Sequence, residues 1–285
     1  MSLNIRYMMI RSFLTLFSLF FSISRIFAAV QIVAVENFYG KIAKQIGGSS
    51  VAVASILRNP NQNPHEFQAD AATVKAIASA DILIYNGLGY DDWVERLLRV
   101  SGRPHCVTIK VADLIGVETG KNPHIWYNPE TMSVLAARLA QILNKSAAVE
   151  AFEKSMQPLR EKISALREKT FGLQVTATES IFGYMACSLG WKMLNYDYQQ
   201  TVVNNAEPCF RQSVNFEKAL TEGQAKVLFY NSQVQNPSAK RMQSIAKRHG
   251  IAVVGITETQ PHHFPSYVDW MLWELSMIER VLGLK

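Results

Sequence analysis

The chain has 285 residues, 48% of them hydrophobic, and a formal net charge of +6. That length is enough for a large core and suits two domains better than one. The charge is too mild and too evenly scattered for a nucleic-acid surface.

Residues 1–28 read as a secretory signal peptide. Arg6 and Arg11 come before or at the start of an apolar run, 13–21, and small residues follow at Ala28-Ala29. A membrane anchor is the competing reading, but the run is short against the roughly 20 residues that a span requires. Cleavage is expected near Ala28 or Ala29. The three arginines of this stretch leave with it, so 26 basic and 23 acidic residues remain, a net of +3. No cysteine occurs before Cys106, so a periplasmic protein without a lipid-modified N-terminal cysteine is expected. Three cysteines are an odd number for an exported chain. Cys187 and Cys209 are placed so that they could pair; otherwise all three are free or buried thiols.

QIVAV (31–35) is predicted to be the first strand, followed by a helix that Gly47-Gly48 ends. VAVASIL (51–57) is the second strand. Directly after it comes a polar turn, Asn63-Pro64-His65. Proline fixes its own φ and restricts the residue before it, so the histidine sits on a constrained backbone. Asp70 caps a helix over 71–79, DILIY (81–85) is a third strand, and Trp93, Leu97 and Leu98 mark a helix face. CVTIK (106–110) is a fourth strand. The turn Asn122-Pro123-His124 then repeats the first one, its histidine 59 positions after His65.

Residues 129–169 carry no strand signal. Val134, Leu135, Leu139 and Ile142 give one helical stripe. Phe152, Met156, Leu159, Ile163 and Leu166 give another, with Pro158 inside it, so a kink or break is expected near residue 157. Alternation then resumes. LQVTAT (173–178) precedes a helix from about Ser180, KVLFY (226–230) a helix over 237–249, and IAVVGI (251–256) a final helix over 265–282. This is an α/β pattern with mainly parallel sheets flanked by helices, in two halves.

In open α/β sheets, ligands bind beyond the carboxyl ends of the strands. The first half offers His65 and His124 there, and the second offers Glu179 and Glu258. Two imidazoles and two carboxylates suit a divalent metal. Singly, each has a plainer reading: a surface turn histidine, or an acid at the positive end of a helix. His105 and His249 are read as structural, the latter at a helix carboxyl end. Trp126 and Tyr127 are expected to pack behind the second turn.

Taken in order, VAVASILRNPNQNPHEFQ, ADILIYNGLGYDDWVERLL, NPHIWYNPETM, TESIFGYMACSLGW, KVLFYNSQV and GITETQP followed by YVDWM resemble the metal-binding subunits of ABC transporters for zinc, manganese or iron. These are the cluster A-I, or zinc-uptake-like, solute-binding proteins. The resemblance covers essentially the whole mature chain. It implies His65, His124, Glu179 and Glu258 as the metal ligands. Both turns carry Asn where the family usually has Asp. The fourth position is the least fixed, since His262 and His263 follow closely and could substitute. The resemblance also implies two lobes, 29–145 and 170–285, joined by a stiff backbone helix over 146–169. The partner is a membrane permease with its ATPase in other chains, and a monomer is expected. Zinc-specific members usually have a His-rich loop before the second turn, whereas 111–122 is short and has no histidine. Two carboxylates make a harder site, so manganese or ferrous iron is favoured as cargo and zinc is the alternative.

An enzyme is not expected. HExxH is absent at His65-Glu66-Phe67-Gln68-Ala69, and the chain has no P-loop and no GxSxG. A zinc hydrolase or an adhesin on the same fold are the remaining classes.

Overall fold

The computed structural model describes residues 29–61, 63–101, 106–234 and 236–284. The expected signal peptide and His105 lie outside the described residues.

The first half opens with β1 (Val30–Glu36), α1 (Asn37–Gly47) and β2 (Val51–Leu57). It continues through α2 (Ala71–Ser79), β3 (Ile82–Tyr85), α3 (Trp93–Ser101), β4 (Val107–Lys110) and the single turn α4 (Val111–Leu114). Two helices follow with no strand between them, α5 (Pro129–Leu143) and α6 (Ala147–Thr170). The second half begins with β5 (Gln174–Ala177), α7 (Gly183–Ser188), β6 (Lys192–Met193), α8 (Tyr196–Val203) and α9 (Phe210–Thr221). It ends with β7 (Val227–Asn231), α10 (Pro237–Arg248), β8 (Ala252–Ile256) and α11 (Tyr267–Val281).

Every strand pair is parallel. The sheet orders are β2-β1-β3-β4 and β6-β5-β7-β8, one topology used twice. The two halves share this wiring although their sequences show no obvious repeat of each other; the two histidine turns both lie in the first half. Ile32, Val33, Ala34 and Val35 are all buried, as expected for a strand covered on both faces. α1 lies directly on the first sheet. A Cβ at Gly40 would come within 2.3 Å of Ser55 Oγ, so glycine permits the close approach.

Helix starts follow their caps. Asp70 Oδ1 accepts from Thr73 N at 2.8 Å, Asn236 Oδ1 accepts from Ala239 N at 2.7 Å, and Ser266 and Asp269 form a capping box on α11. His249 stands at the carboxyl end of α10, where it was expected.

α6 runs unbroken through Pro158: of the kink or break expected there, the break does not occur. Proline removes one hydrogen bond, but Phe152, Met156, Leu159 and Leu166 are buried against α1, α5 and α11 on both sides of it. Tertiary packing outweighs the local defect. α11 packs against α1 of the first half, α6, and β8 of the second. One hydrophobic cluster accordingly runs through both sheets, from Ile32 to Ile278. No helix of the described residues is long and apolar enough to cross a membrane.

Candidate metal centre

The carboxyl ends of the strands deliver three of the four expected side chains to one point. After β2, Pro64 starts a short 3-10 turn, and Asn63 Oδ1 accepts from His65 N at 3.0 Å. The His65 ring lies edge-on to Tyr90, 5.4 Å between centroids. After β4 the second turn repeats the device: Asn122 Oδ1 accepts from His124 N at 3.0 Å. The Trp126 ring backs His124 at 5.2 Å. Trp126 and Tyr127 are fully buried behind the turn, in their expected place.

Glu258 lies two residues past β8. Its loop is held from both halves. Glu258 N and Thr259 N donate to Gln233 Oε1 at 2.6 and 2.9 Å, and Tyr127 OH donates to Thr257 O at 2.7 Å. Glu258 Oε1 thereby meets His124 Nε2 at 2.8 Å and His65 Nε2 at 3.2 Å. His65, His124 and Glu258 form the one group of metal-ligand type among the described residues in which each member offers an atom within 4.8 Å of the others. His124 and Glu258 are 0% and 1% exposed, whereas the His65 side chain keeps 23% of its surface and forms the open edge.

Glu179, two residues past β5, stands outside that three-membered group. It is nevertheless buried, and its Oε1 has no hydrogen-bond partner. The same holds for Glu258 Oε2. Neither acid caps a helix. Glu179 makes no cap bond, and α11 is capped by Ser266. His262 and His263 are exposed and lie outside the group.

The charges act on one another as a set. Burial pulls His65 down, but Glu258's charge and hydrogen bond outweigh it and raise the imidazole to about 9. Burial pulls His124 below the ordinary histidine range. Burial works to raise Glu258, yet the two histidines hold it well below the usual carboxylate range. Burial, reinforced by the charge of Glu258, pushes Glu179 up to about 8. One Glu258 oxygen facing two imidazole nitrogens, with the other Glu258 oxygen and Glu179 Oε1 buried without partners, makes a donor set for a hard or borderline divalent cation.

Sequence reasoning missed three supports: Gln233, Tyr90 and the partners of Asn122. It also missed a second buried acid pair, Asp91 and Glu36. Asp91 accepts from Asn86 N and Gly87 N at 2.6 and 2.7 Å. Burial pushes it up to about 6 and raises Glu36 beside it. Only the GLGYDDW and NSQV stretches hinted at Tyr90, Asp91 and Gln233, and they carry no spacing rule. Cys187 and Cys209 form no disulfide, so the pairing considered from sequence does not occur.

Known proteins share the family and the fold. The family model for the zinc-uptake complex component A, periplasmic, matches residues 32–281. The chain belongs to this family. The iron-binding protein YfeA of Yersinia pestis is 22% identical over 261 residues, covering 85% of this chain and 83% of its own. The manganese-binding lipoprotein MntA of Bacillus subtilis is 26% identical over 246 residues, covering 79% and 78%. The periplasmic zinc-binding protein TroA of Treponema pallidum superposes with a TM-score of 0.71 at 16% identity, over 90% of this chain and 99% of that one. Zinc-uptake-type proteins are substrate-binding subunits of metal ABC transporters, not enzymes. One expectation is corrected. The protein was expected to lack a lipid anchor, but MntA, like other relatives, is named a lipoprotein. The extracytoplasmic location stands.

Proposed function

We propose that this protein captures a divalent transition metal outside the cytoplasm and passes it, as a monomer, to an ABC permease driven by a separate ATPase. The cargo is bound by His65, His124 and Glu258, and Glu179 swings in to complete the set. The lobes are 29–145 and 170–285, bridged by 146–169. The observation that carries this reading is the meeting of His65 Nε2 and His124 Nε2 on one buried carboxylate oxygen, at 3.2 and 2.8 Å. Such a cluster needs a proton or a cation at its centre.

Manganese or ferrous iron is the favoured cargo and zinc the alternative. Two carboxylates with two imidazoles make a harder set than three imidazoles. Zinc still outranks manganese in intrinsic affinity, so selectivity must be read by competition. Zinc binding that manganese cannot displace at physiological ratios would make zinc the cargo.

Metal added to metal-free protein should raise its melting temperature. A ligand that binds only the native state at about 100 times its Kd adds about 2.7 kcal/mol of stability. His65→Ala should remove most of that shift. A melting point unchanged by Mn²⁺, Fe²⁺ and Zn²⁺ alike would sink the proposal.

Affinity should also depend on pH, with a definite sign. In the metal-free protein His65 holds a proton up to about pH 9 and Glu179 up to about pH 8. A metal must displace both. Apparent affinity is therefore expected to rise from pH 6 to 8 by up to about tenfold per unit for each proton released, and to flatten above about 9. Titration calorimetry in buffers of different ionisation enthalpy counts those protons. Release of none would contradict the ligand set.

A further inference from the structure

Asn122 is the one member of the second histidine turn whose side chain and backbone both engage the opposite half. Its Oδ1 accepts from His124 N at 3.0 Å and from Ser180 Oγ at 3.1 Å, and lies 2.7 Å from His124 Nδ1. Its Nδ2 donates to Ser180 O at 2.7 Å, and Tyr184 OH donates to Asn122 O at 2.9 Å. Ser180 directly follows Glu179. Gly183 completes the socket, since a Cβ there would stand 3.0 Å from Asn122 Nδ2.

The amide has only one workable orientation. A backbone N–H can only donate and a backbone carbonyl can only accept. A flipped amide would set donor against donor at His124 N and acceptor against acceptor at Ser180 O. With Oδ1 fixed toward the histidine, His124 Nδ1 must be the donor, and Nε2 is left to face Glu258. A histidine's second nitrogen commonly sets its tautomer and orientation in this way.

We infer that Asn122 is a positioning residue with two linked tasks: it fixes His124 as the Nδ1–H form, and it ties that imidazole to the Glu179 segment of the other half. Metal affinity thus depends on a contact between the halves that touches no metal. The affinity half rests on the proposed metal site; the tautomer half does not. The family's usual Asp would keep an acceptor for His124. It would also lose the donor to Ser180 O and set a carboxylate oxygen against that carbonyl.

The test combines nitrogen NMR of the histidine rings with competition titrations of Mn²⁺ and Zn²⁺. In metal-free wild-type protein His124 should show a protonated Nδ1. Asn122→Ala should lose that signature. Asn122→Asp should keep it, yet bind metal about 10- to 100-fold more weakly, the range typical of outer-shell partners. Gly183→Ala, which crowds the socket without altering Asn122, should weaken binding in the same direction. Near-UV circular dichroism of each variant checks that the fold is intact. A His124 protonated on Nε2 alone would overturn the tautomer half. Wild-type affinity in both Asn122→Asp and Gly183→Ala would overturn the coupling. Wild-type protein that takes up neither metal would overturn the metal-site reading and the affinity half together, while the ring nitrogens still decide the tautomer.

Discussion

Glu258→Ala is expected to weaken metal binding by more than about 100-fold, beyond what outer-shell partners usually command. Among the described residues Glu258 is the only carboxylate that touches both imidazoles, at 2.8 and 3.2 Å, and its loop is held by Gln233 and Tyr127. No neighbour among the described ligand-type residues stands in the same place. The metal-free fold should suffer less. Removing one member of a buried ion pair costs about 3–5 kcal/mol when the other charge is stranded. Here His124 is already pulled toward its neutral form by burial, and the partly exposed His65 can shed its proton to water. The His65 imidazole, now raised to about 9 mainly by Glu258 working against burial, should fall back toward the ordinary histidine range. Competition titration and NMR titration of His65 read the two effects separately. Near-normal affinity would remove Glu258 from the ligand set.

Trp126→Ala is expected to cost about 3–5 kcal/mol of folding stability, the usual range for deleting a buried aromatic. Trp126 is fully buried and packs against Phe38 at 5.1 Å, Tyr90 at 5.0 Å, Tyr127 at 6.1 Å and His124 at 5.2 Å between ring centroids. The cavity would open directly behind the His124 imidazole, so metal affinity should fall as well. Trp126→Phe should cost clearly less. It keeps the ring contacts and removes a buried indole N–H that has no hydrogen-bond partner, a group that costs about 1–3 kcal/mol to bury unpaired. Urea unfolding of the metal-free variants measures both. An Ala variant within about 0.5 kcal/mol of wild type, the level of a surface change, would contradict the packing described.

These two residues also mark what could be read from the chain. The strands were legible because both faces of β1, β3 and β7 are buried and their sequences are continuous apolar runs. The ligand-type residues were legible because each follows a strand end. Residues 190–221 were not. β6 has two residues, α8 buries only Tyr198 and Gln199, and α9 buries Phe216, Ala219 and Leu220. Such segments carry too little apolar periodicity to register. Pro158 misled for the opposite reason: a strong local signal is overridden by packing on α1, α5 and α11. The supports of the site were hidden because they are contacts between distant positions. Gln233 reaches Glu258 and Asn122 reaches Ser180 by side-chain hydrogen bonds across 25 and 58 positions, and no spacing announces them.

The most direct measurement is anomalous scattering from crystals grown with Mn²⁺, collected on both sides of the manganese absorption edge. One strong peak is expected within bonding distance of His65 Nε2, His124 Nε2 and Glu258, with Glu179 turned in as the fourth ligand. A peak elsewhere on the chain, or none at this cluster at saturating metal, would contradict this ligand set.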